Sequence, residues 1–192
     1  MAGSSRYTTV LDACVLYPAP LRDLLLSLAR EGLFHARWTN RIHDEWVRNL
    51  IANRSDLKEF QLRRTCQLMN DAVPASLIDG WEKLESAVEL PDADDRHVLA
   101  AAICGHADAI VTYNLDDFPA QALAQFGVEA LHPDDFLLNQ IDLAEIQALK
   151  AIKAMRARLR NPPVSGADLI VTLEKLQLPL SAARLKAAAE LI

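Results

Sequence analysis

The sequence predicts an α/β fold: a central, mostly parallel sheet flanked by helices in three layers, followed by a C-terminal helical extension. Three observations predict it. Short apolar and β-branched runs alternate with stretches of helical period, the order a parallel sheet with crossover helices requires. Acidic residues recur just beyond the ends of those runs, where open parallel sheets bind ligands. The 192 residues are 51% hydrophobic and 24% charged, enough for one core and unlike a disordered chain or a repeat solenoid.

Tyr7 to Leu11 reads as a buried strand ending at Asp12. Leu21 to Arg30 reads as a helix, with Pro20 suited to its first turn and Gly32 just past its end. A second strand is expected at Leu33 to Trp38. Thr39 and Asn40 then offer N-cap chemistry for a helix to about Asn53, on which Ile42, Glu45, Trp46 and Asn49 share a face. Glu45 thus sits beside an apolar stripe. Helical patterns continue over Ser55 to Asn70 and Ala75 to Leu84, and Ser86 to Leu90 offers a candidate third strand. Asp92-Ala93-Asp94-Asp95 opens a helix from about Asp94 to Cys104, closed by Gly105; three acids are more than a cap requires. Asp108 to Thr112 is the clearest strand, followed by the polar turn Tyr113 to Asp117. A helix over Pro119 to Phe126, a last strand over Val128 to His132 and a helix over Pro133 to Ile141 complete the body.

Charge divides the chain. Residues 141 to 192 carry a net +3, so that the first 140 hold −9 within a total of −6. With the helix-breaking Asn161-Pro162-Pro163, this predicts a body over 1–140 and a helical extension over 141–192. No apolar run approaches the roughly 20 residues of a membrane span, and Met1 to Arg6 lacks a signal-peptide pattern, so a cytoplasmic protein with no membrane contact is expected. Cys14, Cys66 and Cys104 form no metal or disulfide pattern and read as small buried thiols. The acidic balance argues against nucleic-acid binding by bulk charge alone.

Asp12 ends the first strand, Asn114, Asp116 and Asp117 follow the fourth, and Asp94 and Asp95 start the helix before it. Carboxylates packed together raise one another's pKa unless a cation neutralises them, and hard oxygen donors select Mg²⁺ or Mn²⁺. Such an ion activates water or stabilises charge on a phosphoryl oxygen, which points to phosphodiester hydrolysis.

These residues carry a family resemblance. VLDACVLYP at 10–18, Glu45 within RIHDEWVRNL, PDADDRHVLAAAI at 91–103 and IVTYNLDDFP at 110–119 resemble the four successive signatures of the PIN-domain ribonucleases, nearest to the VapC-type toxins. The resemblance covers roughly residues 7 to 137. It implies a three-layer PIN-like fold and a Mg²⁺- or Mn²⁺-dependent endoribonuclease that hydrolyses RNA by in-line attack of a metal-activated water. It also implies a homodimer and a cognate antitoxin that inserts at the acidic groove. By position it assigns the metal ligands to Asp12, Glu45 and Asp95, with Asp94 a neighbouring ligand or the helix cap. Thr112 matches the hydroxyl residue that binds water or phosphate near the metal. The position two residues after Thr112, often Asp in the family, is Asn114, and Asp117 is near enough to supply the missing charge; one or two metals remain open.

Taken singly, each acid has a plainer reading: Asp12 as a turn residue, Glu45 pairing with Arg41 or Arg48, the others as caps. Their joint order favours the metal site. Phosphoryl transfer through an aspartyl intermediate is a competing class, but position 14 is Cys14 and no Lys follows Thr112. A catalytically impaired RNA-binding or partner-binding module is the non-enzyme alternative. His97 and His106 read as surface or helix-end residues, and Tyr17, Trp38, Trp46 and Trp81 as core. In the extension, Ile152, Met155 and Leu159 share a helical face beside Lys150, Lys153, Arg156 and Arg160, a solvated face or an RNA-tracking stripe. Two short helices are expected around Leu178-Pro179.

Overall fold

The computed structural model describes residues 7–160 and 162–192. The expectations resting on Met1 to Arg6 and on Asn161 lie outside the described residues. Four strands, β1 (Thr8–Leu11), β2 (His35–Arg37), β3 (Ala109–Val111) and β4 (Glu129–Leu131), form one sheet of order β2-β1-β3-β4. All three pairings are parallel, with Val10 opposite Arg37 and Ile110, and Ile110 opposite Ala130. The two middle strands are short and buried almost throughout, as a sheet covered on both faces demands.

The helices between them form where the sequence supplies starts and stops. The first, α1 (Ala13–Leu16), is a single turn capped by Asp12, and α2 (Ala19–Arg30) begins with Pro20 in its first turn. Gly32, at φ +80°, turns the chain out of α2 in a conformation that a side chain would strain. Thr39 caps α3 (Asn40–Asn53) by accepting the Ile42 N–H, a bond typically worth about 1 kcal/mol. Ile42, His43, Trp46, Val47 and Leu50 are its buried face, whereas Asn49 is exposed. Then come α4 (Glu59–Ala72), α5 (Glu82–Glu85) and α6 (Arg96–Cys104), with α6 packed on β1 and β3. Gly105 ends α6 against Ile78, where an added Cβ would lie 2.7 Å from Ile78 Cδ1. After β3, a 3-10 turn at Leu115–Asp117 leads to α7 (Ala120–Ala124) and β4.

Two expected elements differ. Of Ala75 to Leu84 only the last turn is helical, as the start of α5: Ala75 takes φ +61° after Pro74, and Leu77 bridges in parallel to Trp38, extending the sheet edge. Ser86 to Leu90 is not a strand; Val88 and Leu90 are buried from irregular backbone. Apolar alternation marks burial there, and tertiary packing decides the backbone form.

The C-terminal helices are α8 (Pro133–Leu143), α9 (Glu145–Arg158), α10 (Gly166–Lys175) and α11 (Pro179–Lys186). Helix α8 runs through residue 140, and α9 packs on both α8 and α2. Ile152 and Met155 are buried as expected, whereas Leu159 is 37% exposed. Of the basic stripe, Arg156 bonds the Val164 carbonyl, while Lys150, Lys153 and Arg160 are exposed. Trp38, Trp46 and Trp81 are buried as expected of core aromatics. Among the described residues no helix is long and apolar enough to cross a membrane.

Candidate active site

In a parallel sheet all strands end at one edge, so the residues just after β1 and β3, Asp12 and Thr112, are brought side by side by strand pairing. Asp12 is only 4% exposed, and its carboxylate is met by three donors. Its Oδ1 accepts the Ala13 N–H at 2.6 Å, and its Oδ2 accepts the Thr112 hydroxyl at 2.7 Å and the Cys14 thiol at 3.1 Å. Thr112 Oγ1 in turn accepts the Asn114 N–H at 3.0 Å, and Cys14 Sγ accepts the Tyr113 N–H at 3.3 Å. Burial pushes the Asp12 carboxyl up; the bonds from Thr112, Cys14 and Ala13 oppose that, and the Glu45 charge adds to it. Burial and the Asp12 charge push the Cys14 thiol up, which makes it a donor to Asp12 rather than a nucleophile.

Asp95 stands at the N-terminal end of α6 without capping it, so its carboxylate is not spent on the helix. Burial, and the charges of Asp12, Asp117 and Asp92, push it up to about 7, with His97 opposing. Asp117 closes the 3-10 turn after Thr112, its N–H bonded to the Asn114 carbonyl, and Asn114 is exposed. Glu45, from α3, lies 2.9 Å from His97 Nε2 and 3.9 Å from Arg41 Nε. Asp94 is exposed and borders a cavity of about 290 Å³ with Glu45, Arg41, Asp44 and Arg48. A cavity of about 510 Å³ lies away from these acids beside Tyr7 and Glu129, at the amino ends of β1 and β4.

The Asp12 carboxyl thus feels the charge of Glu45, the Asp95 carboxyl feels those of Asp12 and Asp117, and Asp94 shares a cavity with Glu45. The donors are hard oxygens, the kind Mg²⁺ or Mn²⁺ prefers. Among the described residues, no three His, Cys, Asp or Glu side chains cluster as a ready metal cage. The set fits an ion that keeps several waters and takes only one or two carboxylates directly, as Mg²⁺ does.

Two participants are not legible in the sequence as such. His97 stands in the first turn of α6, a helix-end place as expected, but is fully buried rather than at the surface: it lies 2.9 Å from Glu45 and against the Trp81 ring, although the carboxylate sits off its N–H direction. Its burial comes from packing against Glu45 and Trp81, which no local pattern in the sequence signals. Cys14 is more than a space-filling thiol, since it joins Asp12 to the Tyr113 backbone. The tight turn capped by Asp12 puts it there.

A family model described as "PIN domain" matches residues 8–116, and one described as "VapC50 C-terminal domain" matches residues 133–187. A curated protein of Mycobacterium tuberculosis, named "Putative ribonuclease VapC50", is 46% identical over 90 residues, covering 47% of this chain and 53% of that protein. The match therefore spans about half the length of that relative. No solved structure matches.

Proposed function

The chain belongs to the PIN-domain family, and from that premise we propose that it is a divalent-metal-dependent endoribonuclease, the toxin of a type II toxin–antitoxin pair. The name of its relative supports the ribonuclease reading. The observation that carries it is the buried Asp12 carboxylate, held at the end of β1 by Thr112, Cys14 and Ala13, with Asp95 at the start of α6 pushed up to about 7 by burial and by the charges of Asp12 and Asp117. Like charges held together in this way favour a cation.

In this reading Asp12, Glu45 and Asp95 would hold Mg²⁺ or Mn²⁺, one or two of them directly and the rest through its waters, with Asp94, Asn114 and Asp117 as further donors. A bound divalent ion supplies acidified water and charge stabilisation at a phosphoryl oxygen. The reaction is in-line displacement at an RNA phosphorus by water. The protein's part is to aim oxygens: Thr112 and Cys14 fix the Asp12 carboxylate, and His97 and Arg41 flank that of Glu45. The Thr112 hydroxyl already donates to Asp12 and accepts from Asn114, so it acts on substrate through Asp12.

The proposal includes a nuclease body over 1–140 and a helical extension over 141–192 sharing α8, a homodimer, a cognate antitoxin and a cytoplasmic location. A second reading, an RNA-binding or partner-binding module with impaired catalysis, draws on Asn114 standing where the family often has Asp. Incubating structured RNA with the protein and Mg²⁺ or Mn²⁺ separates the two. Cleavage that disappears in Asp12→Asn and Asp95→Asn supports the nuclease; binding without cleavage supports the module.

A further inference from the structure

The helical pair α10–α11 reaches the candidate active site by two routes that meet at Tyr113. On the first, the Tyr113 hydroxyl donates to the Leu176 carbonyl at 2.8 Å. Leu176 leaves α10 into a tight turn, in which Gln177 takes φ +60°, so the carbonyl is presented by a constrained backbone. On the second, both Asp134 carboxylate oxygens accept N–H groups of the first turn of α11, those of Leu180 and Ser181, each at 2.8 Å. The Ser181 hydroxyl returns a bond to the Asp134 carbonyl. The Asp134 N–H is accepted by His132 Nδ1, and the His132 ring stands edge-on to Tyr113, with centroids 5.2 Å apart. Asp134 is 3% exposed and Ser181 fully buried, so this joint is interior and not an incidental surface touch. From Tyr113 the line continues to the site: its N–H is held by Cys14 Sγ, whose thiol bonds Asp12, and its chain neighbours are Thr112 and Asn114.

We propose that Tyr113 is a positioning residue through which the docked α10–α11 pair fixes the Thr112–Asn114 segment and, by way of Thr112 and Cys14, the Asp12 carboxylate. The C-terminal helices are then a built part of the active site and not an appended module. A rigid anchor suits this site, because Asn114 and Asp117 lie beyond β3, at the start and end of a single 3-10 turn that the sheet alone does not hold. The inference rests on the metal-site reading above.

The test is Tyr113→Phe in the full chain, which keeps the ring against His132 and removes only the hydroxyl bond. Two quantities are read: amide hydrogen exchange at Tyr113 and Asn114, and Mn²⁺ affinity by titration calorimetry, with Asp12→Asn as the reference. Removal of one hydrogen bond predicts exchange faster by about 2- to 10-fold and Mn²⁺ affinity lower by a similar factor. Asp134→Asn, which weakens the second route, is expected to act in the same direction. Unchanged exchange in Tyr113→Phe overturns the proposal, as does faster exchange with unchanged Mn²⁺ affinity. Those results leave the metal-site reading intact if Asp12→Asn still abolishes Mn²⁺ binding. A wild-type protein that binds no Mn²⁺, or binds it equally well as Asp12→Asn, overturns the metal-site reading and this proposal with it.

Discussion

The Thr112 hydroxyl lies 2.7 Å from Asp12 Oδ2 and donates to it across one hundred residues of sequence. Parallel pairing of β1 with β3, Leu11 opposite Val111, makes that bond a consequence of register: each partner is the next residue along its strand. A one-residue slip of either strand would turn its side chain to the other face of the sheet and separate the pair. The carboxylate is buried, held from three sides, and aimed before any ligand arrives.

Thr112→Val keeps shape and burial while removing that donor and the acceptor for the Asn114 N–H. The change is expected to destabilise the fold by about 1–3 kcal/mol, since the buried Asp12 carboxylate loses one of its three donors and the Asn114 amide loses its acceptor. Urea unfolding measures it, and Mn²⁺ titration of the same variant should show weaker binding. Equal Mn²⁺ affinity would mean that Asp12 is aimed by Cys14 and Ala13 alone.

The Asp95 carboxyl sets a pH dependence. Its pKa in the fold, about 7, is above its ordinary value of 3.8, so between these values the native state binds more protons than the unfolded state. Its contribution to stability is therefore full below about 4 and disappears as pH rises toward 7. Without metal, Asp95→Asn should gain melting temperature relative to wild type as pH rises from 4 to 8, and saturating Mg²⁺ should shrink that gain. Parallel melting curves for the two proteins would show that neither burial nor its acidic neighbours raise the Asp95 carboxyl.

Asp134→Ala leaves the two α11 amides without their acceptor. Removing a cap of this kind destabilises by about 0.5–2 kcal/mol. Urea unfolding of the full chain is expected to show at least that decrease. Stability equal to wild type would mean that α11 docks through Ala182 and Leu185 alone.

The order of strands and helices could be read from the sequence because each element carries its own period, cap or breaker: Thr39 before α3, Pro20 in α2, Gly32 after it. Three of the site residues share that origin, since Asp12, Thr112 and Asp95 each stand at an element boundary. Legibility fails where the determinant is a partner distant in sequence. Leu77 bridges to Trp38 and not into a helix, because the sheet edge has unpaired backbone to satisfy. His97 is buried because α6 turns that side toward Glu45 and Trp81, which no local pattern announces. Tyr113 reads as a turn residue until Leu176, 63 positions later, supplies its acceptor.

The exposed bases of α9 and the residues just after it give a prediction on RNA affinity. Replacing Lys150, Lys153 and Arg160 together by Gln should weaken RNA binding. It should also lower the slope of log affinity against log salt by roughly 0.7 for each phosphate of a single strand that the variant no longer neutralises. A filter-binding series over salt concentration reads both quantities. Unchanged slopes would assign this face to solvent.

Cleavage of a structured RNA by the purified protein in Mg²⁺ or Mn²⁺, set beside the same reaction in EDTA and with Asp12→Asn, decides whether these carboxylates form a metal-dependent nuclease site. Metal-dependent cleavage that Asp12→Asn lowers at least about 100-fold is expected, in keeping with removal of a group acting on the transition state. Cleavage that persists in Asp12→Asn, or proceeds equally in EDTA, would contradict it.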